Sequence, residues 1–136
     1  MRRLIKLKAD AFTLPELLVV LVIIGILVLI ALPNLMPLIT RAKSTEAKMQ
    51  LSHIHSLEKN YFYMYSKYSS DLEEIGFEQE PLVTSNGNAN YRIEIIEATA
   101  STFKARAVSV TDFDGDGIFN VWEIDQDKKI IETIKD

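Results

Sequence analysis

The chain contains no cysteine, which rules out a disulfide scaffold, a thiolate metal site and a cysteine nucleophile. That absence leaves the compartment open, because exported proteins also occur without disulfides. Histidine appears only as His53 and His55, two positions apart on a helical pattern, so the rings do not share a face and do not form a metal pair. The 5 glycines make no Gly-rich phosphate loop, and no serine has a recognisable nucleophile setting. Excess positive charge is also missing. The formal net charge is −4, and Arg2, Arg3, Lys6 and Lys8 against Asp10 concentrate +3 of it in the first eleven residues, so the remainder carries −7. A basic nucleic-acid-binding surface is therefore not expected. These absences together point to a non-enzyme.

What the sequence does have is an apolar block. Hydrophobic content is 48% over 136 residues, but it is unevenly placed. Residues 1–11 are short and basic, and an apolar run from Phe12 to Leu32 follows. Every residue from Leu17 to Leu32 is apolar or glycine, and only Pro33, Asn34 and Pro37 interrupt the continuation through Ile39. At 1.5 Å per residue, about 20 such residues cross the hydrocarbon layer of a bilayer. Positive charge ahead of the run holds that end in the cytoplasm, so the expected location is the inner membrane, single-pass, with the C-terminal part outside. Without the block there remain about 100 residues, enough for one small domain.

Three readings compete for this segment: a cleaved secretory signal, a plain anchor, or a processed filament stem. A secretory signal has an apolar stretch of about 7–15 residues followed by a small-x-small site, and this run is longer. A plain anchor has no use for Glu16, a carboxylate just inside the apolar block. Charge near the bilayer centre costs about 2.5–3.5 kcal/mol on insertion scales and less near the boundary. The plain interfacial reading of Glu16 is therefore inexpensive, and the neighbouring residues must decide.

Ala11-Phe12-Thr13-Leu14-Pro15-Glu16-Leu17-Leu18-Val19-Val20 resembles the prepilin cleavage motif of type IV pilins and type II secretion pseudopilins. The resemblance implies a membrane peptidase that cuts between Ala11 and Phe12 and methylates the new Phe12 amine, removing the leader 1–11. Glu16 matches the family's glutamate four residues after that Phe, and Pro33 matches a proline about two-thirds along the apolar helix. Two positions depart from the pattern. Ala11 stands where glycine is usual, and Pro15 where an aliphatic residue is usual. Alanine is the next smallest residue, and a proline in a first helical turn loses no hydrogen bond. In a stack of subunits, Glu16 of one copy can pair with the Phe12 amine of a neighbour. A paired charge tolerates an apolar core far better than a lone one, so the pair acts as a register pin. Pro33 and Gly25 weaken the stem locally and permit a kink or local melting.

Residues 12–39 thus read as a transmembrane and filament-core helix, and residues 40–69 as its amphipathic continuation. Ala47, Leu51, Ile54, Leu57, Tyr61, Met64 and Tyr68 recur at three- and four-residue spacing. The aromatics Tyr61, Phe62, Tyr63, Tyr65 and Tyr68 exceed one face, leaving Tyr63 and Phe62 as candidate contacts between subunits. Ser70 to Phe77 reads as a capped turn, with Ser70 capping, Glu73 completing the box and Gly76 stopping it. Residues 80–90 read as an exposed loop. Alternation around Tyr91–Ile95 and Phe103–Ala107, with short strands near Val121–Ile124 and Lys129–Thr133, predicts an antiparallel sheet over 70–136. The expected fold is α+β: a long N-terminal helix packed on a small antiparallel sheet.

Residues 112–123 fit the EF-hand loop pattern at each defined position. Alternating Asp112, Asp114 and Asp116 bring carboxylates to one centre, as a hard cation wanting six to eight oxygens requires. Gly117 allows the sharp turn, the Ile118 carbonyl and Asn120 are further ligands, and Glu123 closes the sphere. If Val121–Ile124 is a strand, Glu123 points away and Asp125 is the substitute. The alternative is a solvated acidic turn holding no ion. Calcium is the expected cofactor, acting as a clip that orders the C-terminal hairpin.

The leading function is a structural subunit of a type IV pilus-like filament, with copies of itself, the prepilin peptidase and methylase, and the pilus assembly machinery as partners. The alternative is a type II secretion pseudopilin, served by that system's machinery and ending in the periplasm rather than on the cell surface. A monomeric membrane-anchored calcium-binding module is the third reading.

Overall fold

The computed structural model describes residues 10–136. The first nine residues of the expected leader lie outside that range. By its internal contacts the chain divides between Leu35 and Met36 into two units.

In the first unit, residues 10–13 are non-helical and helix α1 (Leu14–Tyr65 in full) begins immediately after them. Pro15 falls in the opening turn, where the helix has no bond to lose. The large apolar side chains from Phe12 through Leu35 are exposed on this helix. Such a surface needs lipid or other copies of the stem. A window of the helix reaches a mean hydropathy of 3.0, long and apolar enough to cross a membrane by length and composition.

The second unit contains the rest of α1, a connecting segment and one sheet. Ser44, Ala47, Leu51, Ile54, Glu58 and Tyr61 form the buried stripe of the helix, at the spacing expected of one face. Met64, expected on that stripe, is exposed, because the helix ends at Tyr65 rather than continuing to 69. Ser66 takes a left-handed φ of 56° and closes the end, its N–H donating to the Phe62 carbonyl. Tyr68 still reaches the core, but from the connection and not from the helix. Its ring stacks on Phe62, which packs against the core, while Tyr63 faces solvent.

The turn over Leu72–Gly76 is capped by Asp71 instead of Ser70: Asp71 Oδ1 accepts the Glu73 N–H at 2.9 Å. Gly76, at φ 80°, ends it as expected. The loop over residues 80–90 carries one short 3-10 turn, Val83–Ser85.

Four strands follow, β1 (Tyr91–Ala98), β2 (Phe103–Ser109), β3 (Val121–Asp125) and β4 (Ile130–Ile134). They form one antiparallel sheet in sequence order. Phe103, Ala105, Ala107, Tyr91, Ile93 and Ile124 make the buried face that meets Ala47, Leu51 and Ile54. This is the pilin-like α+β arrangement that the sequence predicts. One sheet edge is β1, and Gln79 covers part of it. Its Oε1 accepts the Ile93 N–H and its amide donates to the Tyr91 carbonyl, taking the place of a neighbouring strand.

Candidate functional site

At the N-terminus the residues of interest are adjacent in the chain. Ala11 and Phe12 precede the helix and are exposed, so the peptide between them lies outside regular structure. Thr13 stands at the cap position. Glu16, in the first turn, reaches back, and its Oε2 accepts the Thr13 N–H at 3.0 Å. This is one arm of a capping box, placing a carboxylate where the helix dipole favours it. Glu16 thus has a partner within its own chain before any neighbour is present. Pro33 lies within the stretch assigned to α1.

The acidic loop is the second candidate. Gly115 and Gly117, at φ 87° and 88°, supply the left-handed steps that fold Asp112–Ile118 on itself. Asp112 accepts the Gly115 and Gly117 N–H groups at 2.6 Å each. Asp114 accepts the Asp116 N–H at 3.1 Å, and Asp116 accepts the Ile118 N–H at 2.7 Å. Donation from Gly117 above all holds Asp112 below the ordinary aspartate value. Asp114 is held above it. The Asp116 N–H acts the other way, but burial and the neighbouring charges of Asp116, Asp136 and Asp112 prevail.

Four carboxylates converge here, those of Asp112, Asp114, Asp116 and Asp136, each with an oxygen within 4.8 Å of the others. Asp136 Oδ2 accepts the Phe113 N–H at 2.9 Å, while its Oδ1 is buried without a hydrogen-bond partner. A buried, orphaned oxygen beside three more carboxylates fits a hard cation such as calcium.

Three expected ligands lie elsewhere. Residues 121–125 are strand, so Glu123 faces its cross-strand neighbour and meets Arg106 at 3.4 Å. Asp125 is not among the converging carboxylates, and its Oδ1 accepts the Asp127 and Lys129 N–H groups and shapes the β3–β4 turn. Asn120 is fully buried. Its Oδ1 accepts the Tyr91 hydroxyl at 2.7 Å, and its amide donates to Glu132 and to the Ile134 carbonyl. Burial pushes Tyr91 up to about 12, so that hydroxyl stays a donor. Asn120 therefore ties the end of the loop to Tyr91 and β4, with both its side-chain oxygen and its amide engaged in the fold.

Asp136 is the residue that sequence reasoning missed. It lies far beyond the loop in the chain, with no spacing pattern to mark it. The β3–β4 hairpin brings it back, since Val121 pairs with Ile134.

Comparison with known proteins bears on the first site. Residues 7–32 match the family described as Prokaryotic N-terminal methylation motif. The chain is 44% identical over 69 residues to the type IV major pilin protein PilA of Myxococcus xanthus (strain DK1622), a stretch that is 51% of this chain and 31% of the relative. The match thus spans about a third of that relative's length. The N-terminal segment of this protein carries the methylation motif of prokaryotic prepilins.

Proposed function

We propose that the protein is a structural subunit of a type IV pilus-like filament, made as a membrane-anchored prepilin and cut between Ala11 and Phe12. The single observation that carries this reading is a match to the methylation motif laid over an apolar stem whose large side chains are exposed. A stem of this kind is stable in a bilayer and equally stable among copies of itself, so transfer from one to the other needs little net free energy. Cleavage adds an ammonium at Phe12, and pairing it with Glu16 of an adjacent copy fixes the register. Likeness to a major pilin favours a pilus subunit over a type II secretion pseudopilin. The role is structural, not enzymatic. Electron microscopy of cells with and without the protein tests this. Loss of long surface fibres supports the pilus reading, and intact fibres with lost protein export favour the pseudopilin.

Calcium is proposed as a structural cofactor held by Asp112, Asp114, Asp116 and Asp136. The ion would neutralise the converging carboxylates and join the loop to the chain beyond β4. The support is the four-carboxylate set with its buried, unpartnered Asp136 oxygen. Sites in extracellular modules bind calcium at about 10⁻⁴–10⁻³ M, so a modest site would fill outside the cell.

A further inference from the structure

Glu58 occupies a position on the buried stripe of α1 where an apolar residue is the physical default, and it is fully buried. Its Oε2 accepts the Ser69 N–H at 3.1 Å, while its Oε1 is buried and has no partner. Among the described residues no cation pairs with it. On α1 itself, the Lys59 ammonium is spent on the Tyr68 hydroxyl at 2.9 Å, and His55 Nε2 donates to the Gln126 carbonyl. In the connection, Glu74 accepts from Ser69 Oγ at 2.6 Å and from the Tyr61 hydroxyl at 3.2 Å, so a second carboxylate lies one serine away. Tyr68 is also there, with Asp71 and Glu73 in the turn, while the sheet face opposite α1 offers Phe103, Ala105 and Ala107 and no charge.

We propose that Glu58 is a proton-operated clasp, which fastens the connection at residues 66–76 to the helix when uncharged and loosens it when ionised. An ionised carboxylate here is a lone buried charge with one orphan oxygen, and the nearest acceptor-rich group is another carboxylate. The cheapest relief is to let the Ser69 side of the connection open and admit water. Protonation removes the charge and leaves Oε2 still accepting the Ser69 N–H. Burial raises the Glu58 carboxyl from 4.5 to about 7, against the smaller lowering effect of the Ser69 N–H, so the change falls near neutrality. The sign follows from linkage. The folded form binds the proton more tightly, so this contribution is complete below about pH 4.5 and is lost as pH rises through about 7.

The test is amide hydrogen exchange of residues 66–77 in the full chain in detergent micelles, comparing wild type with E58Q at pH 5.5 and pH 8. Glutamine keeps an acceptor for Ser69 and cannot ionise. The expected result is that wild type loses at least roughly tenfold more protection than E58Q between the two pH values, while E74Q loses as much as wild type. Parallel loss in wild type and E58Q overturns the clasp, because a merely structural acceptor gives that pattern. Carbon-13 NMR of the Glu58 carboxyl supplies an independent reading. Half-titration near 7 supports the proposal, and half-titration near 4.5 overturns it.

Discussion

Glu16 and Thr13 are joined by a hydrogen bond within one chain, Thr13 N–H to Glu16 Oε2 at 3.0 Å. The carboxylate that assembly would use for a neighbour's amine is already in use as a helix cap. The two roles are compatible, because a carboxylate offers about four lone-pair sites and the cap uses one. They separate by substitution. E16Q keeps the cap and removes the charge, whereas E16A removes both. Both variants should enter the membrane normally, and both should form far fewer filaments than wild type, as counted by electron microscopy. Normal filament numbers from E16Q would mean that the cap, and not the charge, is what assembly requires.

The acidic cluster predicts which carboxylates respond to calcium. Adding chelator to the calcium-loaded protein should lower its melting temperature in differential scanning fluorimetry. D136N should abolish most of that response, because it removes the buried ligand beyond the loop, and D114N should do the same. E123Q should leave the calcium response intact and cost about 0–1 kcal/mol, as expected for a partly exposed pair with Arg106. A calcium response lost in E123Q and kept in D136N would contradict the proposed ligand set.

Asn120 predicts a large structural cost with no metal involved. N120A strands the buried Tyr91 hydroxyl and deprives Glu132 and the Ile134 carbonyl of a donor. Glu132 and Ile134 are exposed and can turn to water, so the cost is that of the one buried hydroxyl left unpaired, about 1–3 kcal/mol, read from denaturant unfolding followed by Trp122 fluorescence. The loss should be the same with calcium and with chelator.

Much of this architecture was legible in the sequence because it rests on periodicity. The stripe Ala47-Leu51-Ile54-Tyr61 and the alternation in β1 and β2 each announce a buried face, and the apolar block announces a membrane-length stem. Patterns that depend on chain return were not legible. The EF-hand spacing predicted Asn120 and Glu123 as ligands, with Asp125 as the substitute if a strand followed the loop. The strand at Val121–Asp125 turned Glu123 toward Arg106, and a hairpin delivered Asp136 in its place. Glu58 was hidden for the opposite reason. A glutamate amid lysine and asparagine reads as solvated surface until the connection folds over it.

Gln79 predicts a modest stability loss of a different kind. Q79A uncovers the Ile93 N–H and the Tyr91 carbonyl on edge strand β1. Two lost hydrogen bonds open to solvent should cost about 1–2 kcal/mol, measured by denaturant unfolding. The open edge should also raise self-association of the variant, seen by light scattering, since unpaired strand edges template pairing.

The most direct measurement is intact-mass spectrometry of protein extracted from the membrane and from sheared surface material. Processing at the Ala11–Phe12 peptide predicts a mature chain beginning at methylated Phe12 in the sheared fraction. A chain that retains Met1–Ala11 and never leaves the membrane fraction would contradict the account.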